Sequence, residues 1–190
     1  FRTVAADSGM QLSSRDKQAL AASFDIPDVL IARLAENVQW NLQVVRTVLD
    51  LSQQHRRILL FAASVEHSRL IVAILSMFGI DADQVTAESS TRHRDRAIKK
   101  FKGPSARPMV LSNYGVLTTG FDAPAASAAV IARPTRSLVL YSQMVGRVIR
   151  GPKAGGTPNC DVVTVVDPAL PGFGDVAEAF TNWEDVWKAR

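Results

Sequence analysis

Gln143, Gly146, Arg147 and Arg150 stand at i, i+3, i+4 and i+7 within the run Gln143-Met144-Val145-Gly146-Arg147-Val148-Ile149-Arg150. Helical spacing would gather them on one face. Tyr141, Met144, Val145 and Val148 would then take the apolar one. Two neighbouring guanidiniums repel by about 0.2–0.5 kcal/mol on an exposed helix. A phosphate facing both reverses that sign, because the guanidinium fork matches phosphate oxygens. Gly146 lowers helix propensity by about 1 kcal/mol relative to Ala, but it lets a second surface approach the arginines. Taken alone, the octet admits two readings. It is either a solvated basic face near a helix end, which the macrodipole favours, or an arginine pair aimed at an anion.

Two other stretches carry chemistry. Ser112 to Pro124 contains Thr118-Thr119-Gly120-Phe121-Asp122. Its hydroxyls and backbone N–H groups can bind phosphate, and the Asp122 carboxylate can accept from a sugar hydroxyl. The same residue types also make an ordinary turn-rich loop. Arg92-His93-Arg94-Asp95-Arg96 and Lys99-Lys100-Phe101-Lys102 form a dense basic segment. That segment reads as a solvated helix face or as a nucleic-acid contact. His55, His67 and His93 lack ligand-like spacing and read as surface or polar-core residues.

These residues need a scaffold, and the chain has the bulk to build one. Its 190 residues suffice for one well-buried domain with an appendage. A hydrophobic fraction of 47% with 21% charged residues is ordinary for a globular domain. No apolar run approaches the roughly 18 residues of a membrane span, so no membrane partner is expected. The first ten residues lack a signal-peptide core, and a start at Phe1 suggests a fragment. A single cysteine, Cys160, excludes an intrachain disulfide and a cysteine-based zinc site. It reads as a small buried hydrophobe in a strand-like run, and the setting as cytoplasmic. The net charge of +4 leans towards anionic partners.

Residues 1–25 show no firm periodicity. Asp28 to about Gln54 reads as one helix on the spacing of Val29, Leu30, Leu34, Val38, Leu42, Val45, Val48 and Leu49, with Ile26-Pro27 bending or starting it. From Arg57 short apolar runs alternate with helical patterns. Strands are expected at 58–62, 82–87, 109–111, 128–132 and 162–166. Helices are expected at 65–78, ended by Gly79, at 91–102, stopped by Gly103-Pro104, and from Ser137 through the octet. Trp183 and Trp187 have helical spacing in a C-terminal segment, where packing explains them better than base stacking. The alternation predicts an α/β fold with a mostly parallel, doubly wound sheet and helices on both faces. The divisions are a helical N-terminal segment or connection at 1–55, the sheet domain at 56–168 and a helical appendage at 169–190. Ligands of such sheets collect at the carboxyl ends of the strands.

The order Leu59-Leu60-Phe61 to Ser64, Thr91 to Arg94 to Phe101, Leu117 to Pro124, and Gln143-x-x-Gly146-Arg147-x-x-Arg150 resembles the second RecA-like lobe of superfamily 2 helicases of the DEAD/DEAH type. The segments are similar to that family's motifs IV, V and VI over residues 57–167. Within it, the runs at 118–124 and 141–151 look most like bacterial RadD-like proteins and the motors of type I and III restriction enzymes. The resemblance implies a RecA-like fold and a motor lobe of an ATP-dependent DNA helicase or translocase. Arg147 and Arg150 would be its catalytic arginine fingers. Gly120, Asp122 and Gln143 would meet ATP. Ser64, Arg94, Asn113, Thr118 and Thr119 would meet nucleic-acid phosphates, with a structural salt bridge as an equal alternative for Arg94. Many relatives have a Thr near the position of Asn113, where this chain offers an amide donor instead.

No G-x-x-x-x-G-K-[ST] occurs, and no Asp-Glu box. The resemblance therefore implies half a motor. ATP and Mg2+ would be held mainly by an N-terminal RecA-like lobe preceding Phe1, and this chain alone would be inactive, with no cofactor or metal of its own. DNA is the expected nucleic acid, with RNA open. A non-catalytic RecA-like module that scaffolds a complex or binds nucleic acid is the alternative; a dinucleotide enzyme lacks its G-x-G-x-x-G. Arg147 and Arg150 are expected to project, exposed, from the carboxyl edge of the sheet.

Overall fold

A computed structural model describes residues 1–116, 126–149 and 155–188, the last eight by backbone only. Its core is one six-stranded, all-parallel sheet. In chain order the strands are β1 (Arg2–Ala5), β2 (Arg57–Phe61), β3 (Asp81–Thr86), β4 (Met109–Tyr114), β5 (Ala128–Ile131) and β6 (Asp161–Val166). They lie side by side as β1-β6-β5-β2-β4-β3. The helices are α1 (Ser14–Ala22), α2 (Asp28–Ala35), α3 (Val38–Ser52), α4 (Val65–Met77), α5 (Thr91–Lys102), α6 (Leu138–Val145) and α7 (Phe173–Lys188).

The central strands are buried on both faces, which explains why β2 and β5 read as continuous apolar runs rather than alternating ones. With right-handed crossovers, the connections running towards β3 put α3 and α4 on one face, where they touch each other. The connections that return put α5 and α6 on the other. Register fixes the carboxyl edge: Phe61 pairs with both Asn113 and Ile131, and Ile131 with Thr164. The segments after Phe61, Tyr114, Ile131 and Val166 therefore emerge together.

Three local features differ from the expectation. β1 pairs in parallel with β6 from residues that show no period, because four residues with one Val carry too little pattern to read. The single helix from Asp28 is two. Pro27 starts α2, and the side chain of Asn37 accepts from Trp40 N at 3.0 Å to start α3 afresh. Val29, Val38 and Leu42 are consequently exposed, while Ile31, Trp40, Val44 and Leu51 are buried. Cys160 precedes β6 and is partly buried, not within the strand.

Elsewhere the signals act as their chemistry dictates. α5 spans the expected residues, with Ala97 and Phe101 inward. Gly79 follows α4 at φ +76° and lets Ile80 N bond back to Leu75 O at 3.1 Å. Arg57 is a buried cation at the other end of α5: its Nε donates to Phe101 O at 2.6 Å and its guanidinium also reaches Gly103 O. A fixed positive charge there satisfies terminal carbonyls and opposes the negative end of the helix dipole. No described helix is long and apolar enough to cross a membrane.

Candidate functional site

The octet is not one regular helix. α6 ends at Val145 with Gly146 as its cap, and Arg147 stands in the turn beyond. Arg147 N donates to Met144 O at 3.2 Å and Val148 N to Val145 O at 2.9 Å, a tightened last turn. Tyr141, Met144, Val145 and Val148 are buried, as the apolar face requires. Gln143 is exposed and Arg147 partly buried, rather than fully exposed. Glycine's low helix propensity at position 146 explains the early stop. Arg150, Gly120, Asp122, Thr118 and Thr119 lie outside the described residues, as do the side chains of Trp183 and Trp187.

α6 is held in place from both sides. The Tyr141 hydroxyl shares a 2.7 Å hydrogen bond with Thr164 Oγ1 on β6. Burial raises the pKa of that phenol, the Thr164 bond partly opposing. At the start of the helix, Asp25 accepts from Thr135 Oγ1 at 2.8 Å and from Arg136 N at 2.5 Å. Ser137 then caps α6 through Leu140 N. Leu140 and Met144 thereby lie against the ends of β2 and β4, forming a recess with Phe61, Ala62, Asn113, Tyr114, Gly115 and Arg133.

Ser64 caps α4, accepting from His67 N at 3.0 Å. His67 returns the contact one residue earlier, its Nδ1 accepting from Ala63 N at 3.0 Å. The pair works like a capping box shifted by one residue, with histidine in the place of Glu and the N–H before the cap as donor. Since Nδ1 accepts, the proton sits on Nε2, which is buried without an acceptor among the described residues. Burial holds the His67 pKa down at about 4. The backbone N–H groups of Val65 and Glu66 have no acceptor among the described residues, so the loop after β2 offers donors at the positive end of a 13-residue helix.

Asn113 is buried. Its Nδ2 donates to Leu60 O at 2.9 Å, and its own carbonyl accepts from Ala62 N at 2.9 Å. Its amide is thus engaged in tying β4 to β2. Ser68 and Ser112 add a 2.6 Å hydroxyl pair between α4 and β4. Arg94 is partly buried at the end of β3, its Nη2 3.5 Å from Thr86 O, and makes no salt bridge among the described residues. Beside it, a cleft of about 390 Å³ is lined by Arg69, Glu88, Ser89, Ser90 and His93, among others.

Ser64 follows β2 and Asn113 lies near the end of the neighbouring strand β4, paired with Phe61, while α6, with Gln143 on it and Arg147 just beyond, lies by the same ends through Leu140 and Met144. Arg94 stands apart, at the β3 end. No cluster of three or more metal-ligating side chains occurs among the described residues. Residues that sequence reasoning missed are Asp25, His67 and Arg133. No local pattern marks Asp25 or Arg133, whereas the Ser-x-x-His spacing from Ser64 to His67 was readable as a cap.

Residues 40–152 match the helicase conserved C-terminal domain. The chain belongs to that family. Among relatives, a putative ATP-dependent helicase, IRC3, of Saccharomyces cerevisiae is 31% identical over 122 residues, 63% of this chain. The chain spans only 17% of that relative's length. The fold agrees with the C-terminal domain of the DEAD-box protein Dbp5 at a TM-score of 0.59 and 18% identity, covering 75% of this chain and 78% of that one. Domain 2 of the DEAD-box helicase Mss116p, solved on an RNA duplex, gives 0.58 and 17%, covering 74% and 56%. This helicase domain therefore has the RecA-like α/β fold.

Proposed function

We propose that this domain is the C-terminal motor lobe of an ATP-dependent helicase or translocase. In that reading Arg147 and Arg150 reach a γ-phosphate held, with Mg2+, by an N-terminal lobe of the same protein. The observation that carries it is the placement of Arg147 directly after α6, a helix fixed by Tyr141 and Asp25 over the carboxyl edge. A guanidinium delivered there from a rigid support stabilises charge on a transferring phosphoryl group, worth about 10³–10⁵ in rate in related systems.

Gly120, Asp122 and Gln143 complete the nucleotide contacts, and Ser64, Arg94, Thr118 and Thr119 follow the phosphates of a strand. Asn113 serves that strand by fixing the loop it borders. Within the family, the runs at 118–124 and 141–151 favour a DNA-directed motor of the RadD or restriction-enzyme kind, acting in the cytoplasm. RNA is the competing substrate, favoured by the RNA-bound relative. Without a phosphate cradle in its own sequence, the isolated chain turns over no ATP.

The test is ATP hydrolysis by a protein carrying both lobes, with and without single-stranded DNA or RNA. Stimulation by DNA above RNA supports the finer reading; stimulation by RNA alone replaces it. No hydrolysis under any condition favours a scaffold.

A further inference from the structure

We infer that Arg133 is a phosphate-binding residue at the centre of the carboxyl edge, an inference that rests on the motor-lobe reading. β2 and β5 are hydrogen-bonded neighbours, yet their onward connections leave to opposite faces, β2 through α4 and β5 through α6. Diverging connections open a crevice between adjacent strand ends, and in open α/β sheets that crevice is where ligands bind. Here it is the recess of Phe61, Ala62, Asn113, Tyr114, Gly115, Leu140 and Met144, and Arg133 is its one cation among the described residues.

The recess has space for about 10 Å³, about what one water-sized group or one phosphate oxygen needs. Arg133 is partly buried and has neither carboxylate nor hydrogen-bond acceptor among the described residues. Its guanidinium carbon lies 4.9 Å from the centroid of the Tyr114 ring. A guanidinium held over an aromatic ring is already partly ordered and loses less freedom on binding. Arg133 shares the recess with the ends of β2 and β4, shortly before Ser64 in the chain, and with Met144, to which the Arg147 turn is bonded. An oxyanion between them belongs either to the nucleic-acid backbone or to a nucleotide, and the shared chemistry is a phosphate oxygen.

The test uses the 190-residue chain as wild type, Arg133→Gln, Arg133→Lys and Ser64→Ala, with a labelled single-stranded oligothymidylate and with ATP as separate probes. For backbone phosphate, Arg133→Gln weakens oligonucleotide binding about tenfold at low salt and flattens the log–log salt dependence by about 0.7. Arg133→Lys keeps the slope and recovers part of the affinity. For a nucleotide, oligonucleotide binding is unchanged, while ATP shifts the Arg133 side-chain NMR resonance in the wild type. If Ser64→Ala weakens binding and Arg133→Gln changes neither probe, this inference fails alone. If the wild type responds to neither probe, it fails together with the nucleic-acid reading.

Discussion

The Asp25 carboxylate bonds the Thr135 hydroxyl at 2.8 Å and the Arg136 backbone N–H at 2.5 Å, joining residues 110 and 111 apart in sequence. The loop that delivers α6, and with it Arg147, is therefore held by the segment before α2. That segment supports α6 as well as leading into α2. Asp25→Ala should destabilise the chain by about 2 kcal/mol, since it removes a charged acceptor of several donors. Chemical denaturation checks this, and an unchanged midpoint would mean the loop holds itself.

Gly172 is a second support for the same loop. It sits at φ +86°, and a Cβ there would come within 3.1 Å of Arg136 Cγ. Arg136 also donates to Leu20 O at 2.8 Å. Gly79 has a similar φ of +76° but open space around it. Gly79→Ala should cost only the backbone strain, about 1–2 kcal/mol. Gly172→Ala should cost clearly more, and equal losses in paired melts would count against a tight contact with Arg136.

Removing the hydroxyl in Tyr141→Phe takes away one buried hydrogen bond to Thr164 and should cost about 1 kcal/mol. The apolar packing of the ring, beside Phe180 at 5.4 Å between centroids, remains. Unfolding of the two proteins side by side measures the difference.

His67 makes stability depend on pH in a definite direction. Its pKa falls from 6.5 to about 4 in the folded chain because burial disfavours the charged form. As pH drops below about 6.5 the unfolded chain takes up a proton that the folded chain refuses. Stability is therefore full above that value and is lost progressively down to about pH 4, by an amount on the order of 3 kcal/mol. His67→Asn keeps an acceptor near the Nδ1 position without the titration. Its stability should fall less between pH 7 and 5 than that of the wild type; parallel pH profiles would rule His67 out.

Much of the fold was legible because β2, β4, β5 and β6 are buried apolar runs and because α5 combines Ala97 and Phe101 with a charged remainder. β1 was not, since its place rests on pairing with β6, as Arg2 does with Val163 at the far end of the chain. The break between α2 and α3 was hidden by Val29, Val38 and Leu42, apolar residues that kept the period while facing outward. At the site, the sequence pointed to Ser64, Gln143 and Arg147 as chemistry. It did not show that the Asn113 amide is engaged with Leu60, because that depends on neighbours brought together only by the sheet. The stop of α6 at Val145 has a local cause in Gly146, which the helical period of the octet masked.

The motor-lobe account is tested most directly by Arg147→Ala in the protein carrying both lobes, measuring ATP turnover and nucleic-acid affinity together. Turnover should fall by about 10³-fold or more, with affinity for the strand within about twofold of wild type. Near-normal turnover in that variant would contradict the assignment of Arg147 as an arginine finger.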